Sequence, residues 1–287
     1  MGRQEPWVDA GAGVEHPPDL YRSERLAAPG VPTLADVGDA AVAFYRDLGY
    51  LVVEGAFDEP RVALALEAVL ALVGGRVEGF RGLQFETRAR ELPPDAPAEV
   101  RQDYVRKLWL FCAHEPRLRG LAEDAALTTA VARLMDGAPP ALFQDQALLK
   151  PPHGGREKPW HQDNAYFNIP AETPVVGVWI ALDPATTDNG CMHVIPGSHR
   201  RGPVVHFSRR DWQICDAHVA TEEDVAVPLR PGGLLFFHGL LHHGTPTNAS
   251  GLRRRALQFH YRPAETPAIT SQERAAVWGS EGRDVTC

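Results

Sequence analysis

The chain has 287 residues, 44% of them hydrophobic and 23% charged, with a formal net charge of -8 at pH 7. That composition describes a globular protein with enough apolar material to enclose a pocket, and its acidity argues against nucleic acid or an anionic membrane surface as a main partner. The longest apolar run, Val175–Leu182, is too short to span a bilayer, and the opening residues lack the apolar stretch of a secretory signal.

Residues 1–33 are rich in Pro and Gly without periodicity, and read as an extended arm laid over the surface or partly disordered. From Leu34 onward a single domain, residues 34–287, is expected. Asp36–Leu48 reads as a short amphipathic helix and Tyr50–Glu54 as a strand. Asp58 is placed to cap a second helix, with Pro60 tolerated in its first turn. Val62, Leu66, Val69, Leu70 and Val73 then follow helical spacing until Gly74-Gly75. Residues 76–97 are loop-like. A further helix, clearest over Leu127–Met135, is closed by Gly137-Ala-Pro-Pro140.

Beyond Ala141 short β-prone runs alternate with turn residues: Ala141–Leu149, Val175–Leu182, Met192–Ile195, Val225–Leu229, Leu234–Phe237 and Arg255–Tyr261. Asn189-Gly190 is a hairpin signal and Pro231-Gly232-Gly233 a turn. Helices followed by many short strands imply an α+β protein whose second half is a sandwich or barrel. The four cysteines, Cys112, Cys191, Cys215 and Cys287, stand far apart. That spacing suits reduced thiols in a cytoplasmic protein and opposes a thiolate zinc site.

Ten of the twelve histidines lie after position 150, and two stretches among them carry chemistry. In Trp160-His161-Gln162-Asp163 an imidazole and a carboxylate stand two residues apart, so in an extended chain both project from one face. His-x-Asp alone is common, and a hydrogen-bonded surface pair explains it equally well. Eighty-two residues on, His242-His243-Gly244-Thr245 offers a second imidazole. Two imidazoles and one carboxylate on adjacent positions of an octahedron leave three positions open and suit Fe(II). Arg253-Arg254-Arg255 follows on a returning strand, where a guanidinium facing the metal can clamp a carboxylate. The bland reading, a solvated basic run, is expected for one or two of these arginines.

Taken together, Phe143-Gln-Asp-Gln146, Leu149-Lys-Pro-Pro152, Trp160-His-Gln-Asp163, Trp179-Ile-Ala-Leu-Asp183, Asn189-Gly190, Pro196-Gly-Ser-His199, Phe237-His238, His243-Gly-Thr245, Asn248 and Arg254 occur in an order that resembles the phytanoyl-CoA dioxygenase-like group of Fe(II)/2-oxoglutarate oxygenases. The resemblance is close from Ala141 to Pro263 and loose in the helical part before it. It implies a double-stranded β-helix (jelly-roll) core with the N-terminal helices packed on it, and a metal site within 141–263. It also implies His161, Asp163 and His243 as iron ligands and Arg254 as partner of the C5 carboxylate of 2-oxoglutarate. Thr245, two residues past His243, could donate to that carboxylate. Gln144 is similar to a residue that contacts the co-substrate in relatives, and Lys107 resembles a lysine that some members direct at it. Candidate substrate-pocket residues are Gln146, Asn164, Tyr166, Phe167 and Trp179.

Three histidines compete for the distal ligand role. Only His243 carries the following Gly and small hydroxyl residue with an arginine at the family's distance. His242 has the opposite strand parity, and His238 is expected to line the pocket or pack beneath it. His153, His193, His199, His206, His218 and His260 are taken as structural or surface histidines. The segment Arg200–Arg210 has two readings, a solvated basic turn or a lid receiving an anionic group.

The activity implied is oxidation of an unactivated C–H bond of a small-molecule substrate by O2, with 2-oxoglutarate converted to succinate and CO2. Related halogenases lack the carboxylate ligand, so Asp163 favours hydroxylation, with desaturation, epoxidation or ring formation also open. Two rival classes stand beside this expectation. One is a catalytically silent jelly-roll binding module; the other is a metal-dependent jelly-roll enzyme that needs no 2-oxoglutarate and hence no second-carboxylate clamp.

Overall fold

Apolar alternation in the second half of the chain builds two sheets that face each other. The computed structural model describes residues 7–8, 16–93 and 95–279. In chain order the strands are β1 (Trp7–Val8), β2 (Tyr50–Val53), β3 (Leu83–Phe85), β4 (Val105–Trp109), β5 (Pro140–Lys150), β6 (Lys158–His161), β7 (Val176–Ala181) and β8 (Met192–Val194). They continue as β9 (His206–Ser208), β10 (Trp212–Ile214), β11 (Val225–Val227), β12 (Leu234–His238), β13 (His243–Thr245) and β14 (Arg254–Pro263). The α-helices are α1 (Asp39–Leu48), α2 (Glu59–Val73), α3 (Ala98–Arg101), α4 (Pro116–Ala122), α5 (Ala125–Leu134) and α6 (Ser271–Trp278).

The larger sheet runs β1-β3-β4-β5-β14-β7-β12-β2 and the smaller runs β11-β8-β13-β6. From β5 onward the chain repeatedly crosses between them, which is the winding of a jelly roll. Period-two alternation then sorts the side chains of the larger sheet. Leu51, Val53, Leu149, Val178, Ile180, Leu234, Phe236, Leu257 and Phe259 join a core with α1, α2, α4 and α5. Residues of opposite parity, Tyr50, Val52, Trp179, Ala181, Leu235, Phe237 and Ala256, meet Met192, Val194, Val225 and Val227 of the smaller sheet. Each large apolar side chain buried this way contributes about 1.5–3 kcal/mol. Toward β4 and β5 the same inner face turns polar, and a cavity opens there.

Local signals account for the helices. Asp58 accepts a hydrogen bond from the Arg61 amide at 3.1 Å and Pro60 sits in the first turn of α2. The helix ends in a Schellman pattern. The Arg76 amide donates to Ala71 O (2.9 Å) and the Gly75 amide to Leu72 O (3.1 Å), with Gly75 at φ +70°. The expected first helix is split, because Leu34–Asp36 form a 3-10 turn before Gly38 caps α1.

Two expectations are corrected. The 76–97 stretch is not all loop: β3 lies within it and pairs with β4, so these two short strands extend the larger sheet past β5. Neither run is long or alternating enough to announce itself. Asn189-Gly190 does not join two paired strands, since β7 and β8 belong to different sheets. It turns a crossover in which Asn189 Oδ1 accepts from the Thr186 amide (2.7 Å) and Gly190 takes φ +87°.

The described part of the arm, residues 16–33, passes from the smaller sheet, where Leu26 bridges Ala226 of β11, to the edge of the larger one, where Val31 bridges Val53 of β2. Tyr21 stacks on Trp160 at 5.3 Å and donates to Glu157 Oε1 at 2.8 Å. The rest of the expected arm (1–6 and 9–15) and the stretch 280–287 lie outside the described residues. Cys112 and Cys191 are free and buried, and Cys287 lies outside the described residues. Among the described residues no helix is long and apolar enough to cross a membrane.

Candidate active site

β6 and β13 are antiparallel neighbours, and their register sets His161 directly opposite His243. The two imidazole rings lie 4.1 Å apart. Gln162 continues the extended backbone (φ -117°, ψ 130°), so Asp163 returns to the side of His161 as a 3-10 turn begins. Between them Gln162 points the other way and is held by backbone partners, donating to Gly202 O and Leu240 O and accepting from the Val204 amide. One potential ligand atom each from His161, Asp163 and His243 falls within 4.8 Å of the others, and all three residues are buried.

Both imidazoles are oriented for this task. Nδ1 of His161 faces Pro159 O at 2.8 Å and Nδ1 of His243 faces Leu241 O at 2.9 Å. A carbonyl only accepts, so each Nδ1 carries the proton and each Nε2 presents a lone pair. Those Nε2 atoms stand 3.2 Å (His161) and 3.6 Å (His243) from Asp163 Oδ1. Burial, with the neighbouring His243, lowers His161 to about 3, so the ring is neutral at physiological pH. Burial works to raise the Asp163 carboxyl, but the neighbouring His243 and His260 hold it well below the usual carboxylate range. Two neutral nitrogens and one carboxylate, with no thiolate, form a donor set that fits Fe(II) and does not fit a structural zinc site.

The cavity in front of these donors is lined by Lys107, Gln144, Gln146, Tyr166, Phe167, Thr245 and Arg254. Arg254 is 1% exposed, gives one hydrogen bond to Leu148 O (3.2 Å), and lies over the Trp179 ring at 5.4 Å. Burial lowers its guanidinium to about 10, which leaves it charged at neutral pH. The flanking arginines are neutralised elsewhere: Arg253 forms a two-point pair with Asp103 (2.7 and 2.7 Å), and Arg255 pairs with Asp183. Arg253 keeps 39% of its side chain in solvent while Arg255 is mostly covered, so the solvated reading of the run holds for Arg253 alone, within an ion pair. Lys107 reaches the cavity from β4, where burial, with the Lys158 charge, lowers it to about 8.

Two expected pocket residues stand elsewhere. Asn164 is fully buried and its amide donates to Ala171 O and Thr173 O, shaping the loop after Asp163. Trp179 packs in the inner core behind Arg254 and is absent from the cavity wall. His238 does not reach the cavity; it faces His199 at 5.2 Å between rings. His242 points away from the donors, as strand parity requires, and among the described residues neither of its ring nitrogens has a hydrogen-bond partner. The segment 200–210 does not line the cavity either. Arg200 pairs with Asp47, Arg201 with Glu223, and Arg210 with Glu157 and Asp216.

Several cavity residues escape a reading by sequence. Lys158 breaks the parity of β6, because the pairing of β13 with β6 shifts between His243 and Thr245 and opposes Thr245 to Lys158. The bulge puts both Lys158 and His161 on the cavity side. Lys158 donates to Tyr166 Oη (2.7 Å) and to Asp211 (2.9 Å). Gln258 and His260 were legible in principle: they share strand parity with Arg254 on β14. Gln258 lines the cavity, and His260, read as merely structural, contacts Asp163 Oδ2 at 2.6 Å.

The comparisons agree with this geometry. The family model described as phytanoyl-CoA dioxygenase (PhyH) matches residues 45–256, well over half of the chain. A mouse (Mus musculus) protein, phytanoyl-CoA dioxygenase domain-containing protein 1, is 31% identical over 160 residues, covering 53% of this chain and 55% of that protein. The chain spans about half the length of the curated relatives it matches. Among solved structures, the non-heme α-ketoglutarate-dependent carbocyclase SnoK of nogalamycin biosynthesis is 25% identical, with a TM-score of 0.64 over 88% of this chain and 97% of that one. The epimerase SnoN, solved with Fe3+, α-ketoglutarate and nogalamycin RO, has the same fold at 22% identity, with a TM-score of 0.64 over 82% of this chain and 87% of that one. With its jelly-roll winding, its His-x-Asp and distal His on facing strands and a family match from the first helix to the last strand, the chain belongs to the phytanoyl-CoA dioxygenase (PhyH) family.

Proposed function

We propose that the protein is an Fe(II)- and 2-oxoglutarate-dependent dioxygenase that hydroxylates an unactivated C–H bond of a small organic molecule, with release of succinate and CO2. The observation that carries this reading is the convergence of one ligand atom each from His161, Asp163 and His243 within 4.8 Å, at the wall of a cavity that also holds Arg254. When bound, iron with 2-oxoglutarate and O2 supplies an oxidant strong enough for an aliphatic C–H bond.

The chain's own residues do the rest. His161 and His243 offer lone pairs whose direction is fixed by Pro159 O and Leu241 O. Asp163 offers the single negative charge. Arg254 and Thr245 line the same cavity, and a guanidinium fork with a hydroxyl donor suits the far carboxylate of the co-substrate. Lys107 and Gln144 reach the same cavity and add a cation and an amide. Gln146, Tyr166 and Phe167 form wall available to the substrate, and the apolar ring of Phe167 limits water near the reacting carbon. Specificity then rests on which C–H bond this wall turns toward the metal.

Ring formation is a second outcome for the same site. It is favoured by the likeness to SnoK, a carbocyclase that aligns with 88% of this chain. The test is succinate formation from 2-oxoglutarate, followed by mass analysis of the organic product. Iron- and O2-dependent succinate release that disappears in His161→Ala and Arg254→Ala supports an oxygenase. A product gain of one oxygen means hydroxylation, and a loss of two hydrogens means ring formation or desaturation. No succinate from any substrate, with iron binding intact, would instead mark a silent binding module.

A further inference from the structure

The Asp163 carboxylate is gripped from both sides. Oδ1 faces the two imidazole Nε2 atoms, while Oδ2 lies 2.6 Å from His260 Nε2 and 3.3 Å from Gln258 Nε2. Two acceptors at 2.6 Å would repel, so His260 Nε2 carries its proton and donates to Oδ2. His260 is fully buried, and the rings of Phe167 (5.3 Å), Phe143 (6.2 Å) and Phe237 (6.2 Å) surround it. On the neighbouring strand, the position opposite is Gly177, where a Cβ would fall 2.2 Å from the Phe237 ring. The imidazole is therefore held by packing in the one orientation that reaches the carboxylate. Among the described residues His260 Nδ1 has no hydrogen-bond partner, and its Nε2 meets Asp163 Oδ2 at 2.6 Å and the Gln258 side-chain amide at 3.0 Å.

We infer that His260, assisted by Gln258, is a positioning residue that occupies Oδ2 of Asp163 and so makes Asp163 a one-oxygen ligand. The inference rests on the metal reading given above and deepens it. A carboxylate free to turn can present both oxygens and take two metal positions. With one oxygen committed to His260, Asp163 takes one position, and the open face needed for co-substrate and O2 is preserved. Arg254, Gln258 and His260 share parity on β14. One strand thus carries both the group placed to clamp the co-substrate and the groups that aim the carboxylate ligand.

The test is anaerobic titration with Co(II), read by its ligand-field absorption, on the full chain. His260→Phe keeps the ring and its packing but removes the donor, and its Co(II) affinity is expected to fall about 10- to 100-fold with an altered spectrum. His260→Gln returns an N–H donor at similar reach and is expected to restore most of the affinity and the wild-type spectrum. Gln258→Leu is expected to show a smaller loss, in keeping with its longer contact. The positioning role is overturned if His260→Phe binds Co(II) within about twofold of wild type with an unchanged spectrum. It is equally overturned if His260→Gln is as impaired as His260→Phe, which would mark a packing role. Asp163→Ala serves as the control: wild-type Co(II) affinity in that variant would reject the ligand assignment itself, a failure distinct from that of His260.

Discussion

Two adjacent histidines separate what strand parity does from what residue type does. His242 and His243 are both buried, yet only His243 faces β6 and its Nε2 approaches Asp163. His243→Ala is expected to lower metal affinity by more than about 100-fold, whereas His242→Ala, which removes no hydrogen bond of its ring, leaves it within about threefold. Isothermal titration with Mn(II) checks both, and equal losses would refute the parity argument. Arg254 is tested separately. Arg254→Met keeps an unbranched apolar side chain and removes the fork that lies over Trp179, so the KM for 2-oxoglutarate is expected to rise at least about tenfold while metal affinity holds. An unchanged KM would move the clamp to another cation of the cavity wall, such as Lys107 or Lys158.

At the scale of elements, close approach matters as much as pattern. Gly244, between the candidate ligand His243 and Thr245, leaves room for Tyr21 of the arm; a Cβ there would lie 2.9 Å from Tyr21 Oη and 3.0 Å from Lys158 O. Gly177 leaves room for Phe237, whose ring in turn lies 4.7 Å from that of His243. Gly177→Ala forces Phe237 to move, and overpacking of this kind costs about 1–3 kcal/mol. Its expected signature is a lower melting temperature together with weaker metal binding, since Phe237 backs the ligand. A normal melting temperature would show that the ring gives way freely. The cap of α2 offers a contrast, because it is remote from the cavity. Asp58→Ala is expected to cost about 1 kcal/mol in urea unfolding and to leave metal affinity unchanged.

For the whole molecule, buried neutral histidines set the acid limit. Burial lowers His206 to about 3, and His238 and His242 to about 4, from an ordinary value of 6.5. His206 is fixed as the neutral form from both sides: Nδ1 faces Val204 O at 2.7 Å, and Nε2 accepts from the Gln162 amide at 3.0 Å. A base whose folded pKa is depressed resists protonation only while folded. Stability is thus fully present above pH 6.5 and falls as pH drops toward 4, by about 1.4 kcal/mol per unit of depression for each group. Melting of the metal-free protein between pH 7.5 and 4.5 checks this, and a flat melting temperature down to pH 5 would contradict it. A second molecule-wide tie is Arg210, which joins Glu157 (2.7 Å) and Asp216 (2.6 Å), while Glu157 also receives Tyr21 of the arm. Arg210→Met leaves two acidic groups without their cation and is expected to cost about 3–5 kcal/mol in urea unfolding.

What the sequence determined by itself was whatever short-range geometry controls. Period-two alternation located the long strands. Capping residues and glycines bounded α2, and the i, i+2 relation put His161 and Asp163 on one face. The family resemblance singled out Arg254 among three arginines, and the ion pairs of Arg253 with Asp103 and of Arg255 with Asp183 leave it the one that lines the cavity. Only the tertiary structure decided the remainder, because those features depend on which strand lies beside which. The bulge that brings Lys158 to the cavity exists only in the pairing of β6 with β13. The short strands β3 and β4 are strands because β5 offers them an edge. Asn189-Gly190 turns a crossover because its flanks enter opposite sheets. His260 looked like any buried histidine until β14 set it 2.6 Å from the Asp163 carboxylate, across 97 residues of chain. No periodicity encodes a contact at that separation; it is fixed by the register of the larger sheet against the smaller one.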